Sequence, residues 1–362
     1  GELEALNTIG SIIGTFLPTF VTIPAVGTAR TFLIFAAILA IISLAFFISR
    51  RRWIARGAVS AVVITALIFW DSGDIVLEDE SIYNYLQVTE NESRIALSTN
   101  VAFGVQSIKM KSGNMTGMYY DYALAAPLMA ENAQDVLILG LGTGTFAEQC
   151  LEYFPGCNVT GVEIDEKIVN ISREYFDLPE EVNAVVGDGR AWLTASEDSY
   201  DVIMVDAYQD ITIPFQMSSV EFFTEVYEHL NPGGVMVVNM SMRSESEGSM
   251  NEYLIDTIAS VFPHVYTVRV SAGTNLELFA TADGDALARF RERYPSEPEE
   301  YAAIMQRVDE NLVTVEGGDY ILTDDKAPVE LLGMRVLDEI IAGELDILRD
   351  QIAEDGIMSL LS

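Results

Sequence analysis

The residues that could carry chemistry in this chain gather around a glycine-rich turn. Residues 135 to 146, DVLILGLGTGTF, run from an apolar stretch into Gly140, Gly142 and Gly144. Such a turn between a buried strand and a helix lets the backbone approach a ligand and presents helix N-terminal amides to it. A dinucleotide fingerprint would require glycine at Thr145, so the spacing favours an S-adenosylmethionine-type cofactor. The alternative is a turn that binds no ligand.

Acidic residues follow this turn at the ends of the next two predicted strands. Glu163 lies 19 residues beyond Gly144, where a carboxylate can accept hydrogen bonds from both ribose hydroxyls. Asp188, in GDGR with Gly189, lies where a carboxylate could hold an adenine amino group. Asp165 is adjacent to this site, although a helix N-cap is its simpler role. Because strand ends face the ligand-binding crevice of such sheets, these positions predict a nucleoside site.

A further acid, Asp206, ends the fourth predicted strand, in VDAYQDITIPF. Beside the sulfonium carbon, this carboxylate could take a proton from an attacking amine or hold a cationic substrate. The alternative is a loop or capping acid. Tyr120 and Tyr208 are candidates for the pocket wall, although aromatic residues near a sheet edge are more often core. Asp121 faces the same cleft if the small N-terminal sheet packs over it, and otherwise is a solvated acid at a helix start.

Charge divides the chain into two parts. Residues 1 to 70 hold two acids and five arginines, whereas the rest is acidic and brings the formal net charge to -35. Such a surface repels nucleic acid and anionic lipid, so neither is an expected partner of the acidic part. It suits a halophile's salt-rich cytosol better than an acidic surface evolved for a substrate. Cys150 and Cys157 have no metal spacing, so we predict a reducing compartment and no metal site.

The N-terminal region predicts membrane helices. Residues 31 to 49, TFLIFAAILAIISLAFFIS, carry no charge over 19 residues, which is long enough to cross a bilayer. An apolar stretch with Pro18 and Pro24 precedes them, and residues 57 to 70 could form a third span or an interfacial helix. The abrupt start without a signal peptide suggests a fragment of a longer membrane region. We expect a multi-pass cell-membrane protein with a cytoplasmic catalytic domain, although the basic RRRWIAR segment leaves the sidedness open.

The remainder of the sequence predicts an α/β fold. Residues 71 to 118 contain short alternating stretches punctuated by Asn, Ser and Gly, which indicate a small antiparallel β domain. From 119 to 362, buried apolar strands alternate with amphipathic helices. That alternation predicts a Rossmann-like parallel sheet of the S-adenosylmethionine-dependent methyltransferase type, preceded by the β domain and by transmembrane helices over residues 1 to 70.

The chain from about residue 75 to 345 resembles the spermidine synthase, or polyamine aminopropyltransferase, family. The motifs GVQS, YYDYALAAPL, LGLGTG, VEID, GDGR, VDAY and LNPGGV occur in family order. Segments such as GSIIGTFLPTF, IPFQMSSVEFF and LTDDKAPVE resemble the membrane-fused branch, in which a transporter-like helical region precedes the synthase-like domain.

The resemblance implies roles for the matched residues. Glu163 would bind the ribose and Asp188 the adenine of decarboxylated S-adenosylmethionine or methylthioadenosine. Gln106 and Tyr120 would lie near the same ligand, and Asp121 would hold the acceptor amine.

The predicted site has three groups of residues. The cofactor-binding residues are Gly140, Gly142, Thr143, Gly144, Glu163, Asp165, Asp188, Gly189 and Gln106. The substrate-binding residues are Tyr120, Asp121 and Tyr208. By the resemblance, Asp206 is the catalytic acid–base residue. Two positions depart from the family pattern, since a loop aspartate is replaced by Thr143 and a second acid after Asp206 by Gln209.

We therefore predict a membrane-anchored, spermidine synthase-like transferase. It would move an aminopropyl group from decarboxylated S-adenosylmethionine to an amine such as putrescine or agmatine. One alternative is a methyltransferase that uses S-adenosylmethionine, because Thr143 does not repel the methionine carboxylate as an aspartate would. Another is a transport or sensing protein whose domain binds a nucleoside or polyamine without turnover. Relatives are commonly dimers or tetramers, so by analogy we expect a homodimer.

Overall fold

The computed structural model describes residues 2–48, 74–100, 105–207, 213–240, 248–271 and 275–334. The chain divides into two units, Gly1–Thr89 and Glu90–Ser362. The residues predicted to carry chemistry all belong to the second unit.

The first unit contains helices followed by β-strands. The helices are α1 (Glu2–Leu17), α2 (Ile23–Val26) and α3 (Thr28–Ile48), with a π-helical turn at Pro18–Thr22. Strands β1 (Ile75–Glu80) and β2 (Tyr85–Glu90) pair in antiparallel fashion. The Glu80 carboxylate accepts hydrogen bonds from the backbone N–H and the hydroxyl of Thr28, both at 2.9 Å. Since Thr28 begins α3, these bonds satisfy an N–H group that the helix itself leaves unpaired.

The prediction that residues 31 to 49 cross a membrane is wrong. Among the residues that the structure describes, no helix combines the length and the apolar character that a bilayer crossing requires. Helix α3, which covers most of the predicted span, begins among the polar residues Thr28, Arg30 and Thr31. The expected multi-pass localisation and the likeness to a membrane-fused branch lose their support with it. The predicted third span, residues 57 to 70, lies outside the described residues.

The second unit begins with an antiparallel pair of strands, as the sequence predicts. Strand β3 (Arg94–Thr99) pairs with β4 (Val105–Met110), and Ala96 lies opposite Ile108. Two short helices follow, α4 (Tyr119–Ala123) and α5 (Ala125–Met129), and every residue of both is buried.

The main sheet confirms the predicted Rossmann-like, methyltransferase-type fold. Its strands are β5 (Asp135–Leu139), β6 (Asn158–Glu163), β7 (Asn183–Val186), β8 (Tyr200–Val205), β9 (Leu230–Met240), β10 (His264–Arg269), β11 (Leu276–Thr281) and β12 (Val313–Val315). Within the described residues their order is β12-β10-β11-β9-β8-β5-β6-β7. Strands β5 to β9 are parallel, and β11, β10 and β12 extend the sheet in antiparallel fashion.

Helices cover both faces of this sheet. They are α6 (Thr145–Tyr153), α7 (Glu166–Tyr175), α8 (Gly189–Ala195), α9 (Val220–Glu228), α10 (Met250–Ala259), α11 (Ala286–Arg293) and α12 (Glu299–Asn311). Along β5, Val136 and Ile138 belong to one apolar core, and Leu137 and Leu139 to the other. Because successive side chains point to opposite faces, burial of both faces explains the continuous apolar run. Ligands of such sheets bind at the carboxyl ends of the strands.

Candidate active site

The glycine loop between β5 and α6 is held against both neighbouring strands. The amides of Gly140 and Leu141 donate to the Val162 carbonyl of β6, at 2.9 and 3.1 Å. Gly140 has a φ of +97°, and a Cβ there would lie 2.4 Å from the carbonyl oxygen of Asp206. Only glycine therefore lets the ends of β5 and β8 come this close. Gly144, also left-handed, is the N-cap of α6.

Glu163, the last residue of β6, faces the glycine loop. It is buried, and its Oε2 accepts from the Gly142 amide at 3.0 Å while Oε1 accepts from the Asp165 amide at 3.1 Å. Burial raises the pKa of Glu163, and these two hydrogen bonds oppose the rise because they favour the ionised form. An ionised carboxylate has about four lone-pair sites, so Glu163 can still accept hydrogen bonds from ribose hydroxyls.

Asp165 and Asp188 both cap helices. The Oδ1 of Asp165 accepts from the Lys167 amide at 3.0 Å, at the start of α7. The Oδ1 of Asp188 accepts from the Ala191 amide at 2.8 Å, at the start of α8, whose first residue is Gly189. Asp165 is buried and Asp188 is half-buried. The cap uses one oxygen of Asp188, so a contact between its carboxylate and an adenine amino group stays compatible with the geometry.

Thr143 lies inside the glycine loop and is 2% exposed. Its amide donates to the Ser107 hydroxyl of β4 at 3.4 Å. The Thr143 hydroxyl has no hydrogen-bond partner among the described residues. Buried polar groups are normally paired, so this hydroxyl is available to a ligand at the place where the family pattern has an acid.

Asp206, directly after β8, lies between two hydrogen-bond donors. The Tyr119 hydroxyl of α4 donates to its Oδ2 at 2.7 Å, and the Asn239 side-chain amide of β9 donates to its Oδ1 at 2.7 Å. The Asn275 side chain donates in turn to Asn239 Oδ1 at 2.8 Å. Each carboxylate oxygen therefore has one fixed partner, and the amide of Asn239 is held in one orientation.

The environment of Asp206 moves its titration to neutral pH. Burial among protein atoms raises its pKa to about 7, the Tyr119 and Asn239 hydrogen bonds oppose this, and the charge of Glu163 adds to it. Burial and the adjacent Asp206 also raise the pKa of Tyr119, so that hydroxyl remains a donor. A carboxyl that titrates near pH 7 is suited to accept a proton during catalysis.

Asp121 has structural partners on every side. It is fully buried, and its oxygens accept from the amide and hydroxyl of Thr116, the amide of Gly117 and the side-chain amide of Gln149, at 2.6 to 3.1 Å. The alternative that Asp121 is a solvated acid at a helix start is therefore wrong. These contacts tie the turn before α4 to α6 and give no support to a role in holding an amine.

The other predicted substrate residues are Tyr120 and Tyr208. The Tyr120 hydroxyl donates to the backbone carbonyl of Gln106 in β4, which links the predicted Gln106 to α4. The Tyr119 hydroxyl lies 3.5 Å from the same carbonyl. Tyr208 lies outside the described residues.

Sequence reasoning missed three residues that contact the site. Asn239 lies near the end of its strand, in GVMVVNM, so the strand-end argument applied to the acids would have found it. Tyr119 precedes the predicted Tyr120, and choosing between them requires the orientation of α4. Ser107 reaches the loop only through the placement of β4.

The fold and the site together define a Rossmann-like α/β protein whose candidate site lies at the carboxyl edge of a parallel sheet. Residues 118–280 match a family model described as the spermine/spermidine synthase domain. A probable polyamine aminopropyl transferase of Bifidobacterium longum is 50% identical over 349 residues, which cover 88% of this chain and 77% of that relative. The chain therefore belongs to the spermine/spermidine synthase family.

Solved structures agree on the fold. A probable spermidine synthase from Corynebacterium glutamicum superposes with a TM-score of 0.52 at 20% identity, covering 68% of this chain and 98% of that one. Spermidine synthase from Thermotoga maritima superposes with a TM-score of 0.53 at 17% identity, and the match covers 63% of this chain and 80% of that chain. At these identities the likeness concerns the fold alone.

Proposed function

We propose that the chain is a polyamine aminopropyltransferase that moves an aminopropyl group from decarboxylated S-adenosylmethionine to an amine. The observation that carries this function is the Asp206 carboxyl, held by Tyr119 and Asn239 and titrating at about 7. It adjoins the glycine loop that faces Glu163, so a proton acceptor and a nucleoside site meet at one sheet edge.

The donor nucleoside would lie over the glycine loop. Glu163 accepts hydrogen bonds from the ribose hydroxyls, and Asp188 accepts from the adenine amino group. Helix α6 begins directly after the loop, and the positive end of its dipole favours oxygen-rich ligand groups there. Asp165 keeps its cap on α7 and supports Glu163 through its own amide.

The reaction needs a neutral amine and a group that takes one proton. The amine nitrogen bonds to the carbon next to the sulfonium, and the carbon–sulfur bond breaks with its electron pair on sulfur, which releases methylthioadenosine. The new secondary ammonium then loses a proton, which the Asp206 carboxylate accepts. By holding both reactants in register, the site avoids much of the entropy cost of a bimolecular step.

The Thr143 hydroxyl favours a second candidate, methyl transfer from S-adenosylmethionine. A buried, unpaired hydroxyl can donate to the methionine carboxylate, which an aspartate at that position would repel. The two reactions differ in their products, since aminopropyl transfer yields methylthioadenosine and methyl transfer yields S-adenosylhomocysteine.

Product analysis of the full chain separates the two reactions. The protein receives each donor in turn, with putrescine, agmatine or spermidine, and both nucleoside products are quantified. We expect methylthioadenosine that forms only when decarboxylated S-adenosylmethionine and an amine are both present. S-adenosylhomocysteine from the intact donor would favour methyl transfer, and neither product from any combination would contradict the proposed function.

A further inference from the structure

Glu277 of β11 is a fully buried acid on the same side of the sheet as Asp206. It pairs with Asn239 of β9 on one side and with Val268 of β10 on the other. Directly opposed residues of adjacent strands bring their side chains to one face. Asn239 in turn donates to Asp206, so Asp206, Asn239 and Glu277 form a polar row across β8, β9 and β11. Helix α4, which carries Tyr119, packs against β9 and β11 over this row.

Neither carboxyl oxygen of Glu277 accepts a hydrogen bond within the described part of the chain. A buried carboxyl in that state is unusual, because its ionised form loses hydration without a replacement. Burial raises the pKa of Glu277 well above its ordinary value, and the charge of Asp206 raises it further. Burial therefore favours the protonated form of Glu277, and both of its oxygens lack the hydrogen-bonding or cationic partner that would favour the ionised form.

We propose that Glu277 binds the distal ammonium of a diamine acceptor whose other nitrogen lies at Asp206. The inference rests on the proposed function. The two residues are two strand intervals apart, about 10 Å at the backbone, and both side chains extend from the same face. A short aliphatic diamine that lies along Asn239 connects them. Its ammonium supplies a full charge and three N–H donors, as a lysine head group does, for the two open oxygens.

The order of strands assigns Glu277 to the acceptor and not to the donor. The nucleoside side of the site lies at β5 and β6, where the glycine loop meets Glu163. The sheet then continues through β8 with Asp206 and β9 with Asn239 to β11 with Glu277. A donor chain that ends at Asp206 stops two strands short of Glu277, so the ligand that reaches Glu277 comes from the opposite side of the reacting atoms.

Glu277→Gln tests this role because it keeps the shape of the side chain and removes its charge. With putrescine, we expect the KM to rise about 10- to 100-fold, because a charge-assisted contact is lost. The KM for the donor should stay within about twofold of the wild-type value. With n-butylamine, which has the same four carbons and no distal ammonium, both proteins should show the same kcat/KM. An unchanged putrescine KM, an equal loss with both amines, or a rise in the donor KM instead would overturn the assignment.

A matched control removes a buried acid elsewhere on the sheet. Asp201, at the start of β8, is buried and accepts from the Gln134 amide at 2.8 Å. Asp201→Asn should lower the melting temperature and leave the putrescine KM unchanged. Glu277→Met serves as a second variant. Like Glu277→Gln, it should lose the preference for putrescine over n-butylamine in kcat/KM. A Glu277→Met protein that retains the preference would contradict the proposal.

Binding measured without turnover separates this inference from the proposed function. A bound ammonium favours the ionised form of Glu277, so putrescine binding should release about one more proton from the wild-type protein than from Glu277→Gln. Calorimetry in two buffers of different ionisation enthalpy gives this number. Asp206, Tyr119 and Glu163 also titrate near the row, and they are common to both proteins. Equal affinity and equal proton release would refute the role of Glu277 whether or not methylthioadenosine forms.

Discussion

The Asp206 carboxylate accepts a hydrogen bond from a phenol hydroxyl on one oxygen and from a side-chain amide on the other, at 2.7 Å each. Two donors from different elements fix both its position and its plane, since α4 supplies Tyr119 and β9 supplies Asn239. Such preorganisation matters because a proton acceptor must already be aligned when the new ammonium forms. Single substitutions around this carboxylate therefore have separable consequences.

Asp206→Asn removes the proton acceptor and retains the shape of the side chain. We expect kcat to fall about 10²- to 10⁴-fold, the usual contribution of a positioned base. The affinity for methylthioadenosine should stay unchanged. Turnover is followed by release of methylthioadenosine, and affinity by calorimetry. Loss of nucleoside binding in a protein that still folds would contradict the role of Asp206.

Glu163→Ala should show the reverse order of effects. It removes the carboxylate that faces the glycine loop, so nucleoside affinity should weaken first, by about 10- to 100-fold for lost hydrogen bonds to a charged group. At saturating donor, kcat should change less than the donor KM. The same calorimetric titration with methylthioadenosine measures the effect. An unchanged affinity would contradict the assignment of Glu163 to the ribose.

The pH dependence of turnover should follow Asp206. Because the ionised carboxylate accepts the proton, kcat/KM should rise with pH through about 7, where Asp206 titrates. Tyr119→Phe removes a donor that favours the ionised form, so the inflection should move to higher pH by about one unit. Tyr122→Phe is the matched control, since the Tyr122 hydroxyl bonds Ser271 at 2.9 Å and not Asp206. A shift to lower pH in Tyr119→Phe, or an equal shift in both variants, would refute this account.

At the level of secondary-structure elements, the sequence predicted where the acids of the candidate site lie on the sheet. Strands buried on both faces appear as apolar runs, and each run ends at a residue that can be named in advance. Glu163 and Asp206 could be placed at the sheet edge in this way, without knowing how the sheet is ordered. The N-cap suggested for Asp165 is also confirmed.

The remaining residues depend on pairings between distant parts of the chain. Tyr119 and Asp206 are 87 residues apart, and only the packing of α4 over the sheet joins them. Glu277 lies in NLELFAT, whose first four residues alternate polar and apolar as in a strand with one exposed face. Strand β11 is covered on both faces, so the pattern misleads. The prediction of membrane helices is wrong because, among the described residues, no helix combines the length and the apolar character that a bilayer crossing requires.

Gly140→Ala tests how closely β5 must approach β8. The added methyl group would meet the backbone of Asp206, so we expect loss of turnover and a lower melting temperature. Gly156→Ala is the control, since Gly156 has a φ of +90° and no heavy atom within 4 Å of an added Cβ. Both variants place alanine in a left-handed conformation, which costs about 1 kcal/mol of unfolding free energy. Similar stability and activity in the two variants would show that the close approach is not needed.

At the scale of the whole molecule, self-repulsion is the dominant electrostatic property. The chain has 55 acidic residues against 20 Lys and Arg, for a formal net charge of -35. Some of the cations contact more than one acceptor. The Lys109 ammonium, for example, lies 3.1 Å from the Glu148 carboxylate and 2.7 Å from the Phe176 carbonyl oxygen. Acids outnumber Lys and Arg by 35, so the cations of the chain cannot neutralise its acids.

Added salt should therefore stabilise the fold. Between about 0.1 and 1 M NaCl the Debye length falls from about 10 Å to about 3 Å, which screens repulsion between surface acids. We expect the melting temperature to rise by at least about 2 °C, or about 1 kcal/mol for a protein of this size. The melting temperature, measured by calorimetry and plotted against ionic strength, should follow the same curve in NaCl and in KCl. A flat or falling curve would show that other effects outweigh the net charge.

The contact between Gly140 and the backbone of Asp206 also bears on how this enzyme could be re-engineered. The donor half of the proposed site is carried by β5, β6 and their loops, and the acceptor half by β8, β9 and β11. Strands β5 and β8 of these halves pair in parallel, and directly beyond that pairing a Cβ on Gly140 would lie 2.4 Å from the Asp206 carbonyl oxygen. A designer could exchange the acceptor strands for those of a relative and keep the nucleoside half, provided that the junction at Gly140 and Asp206 is transferred unaltered.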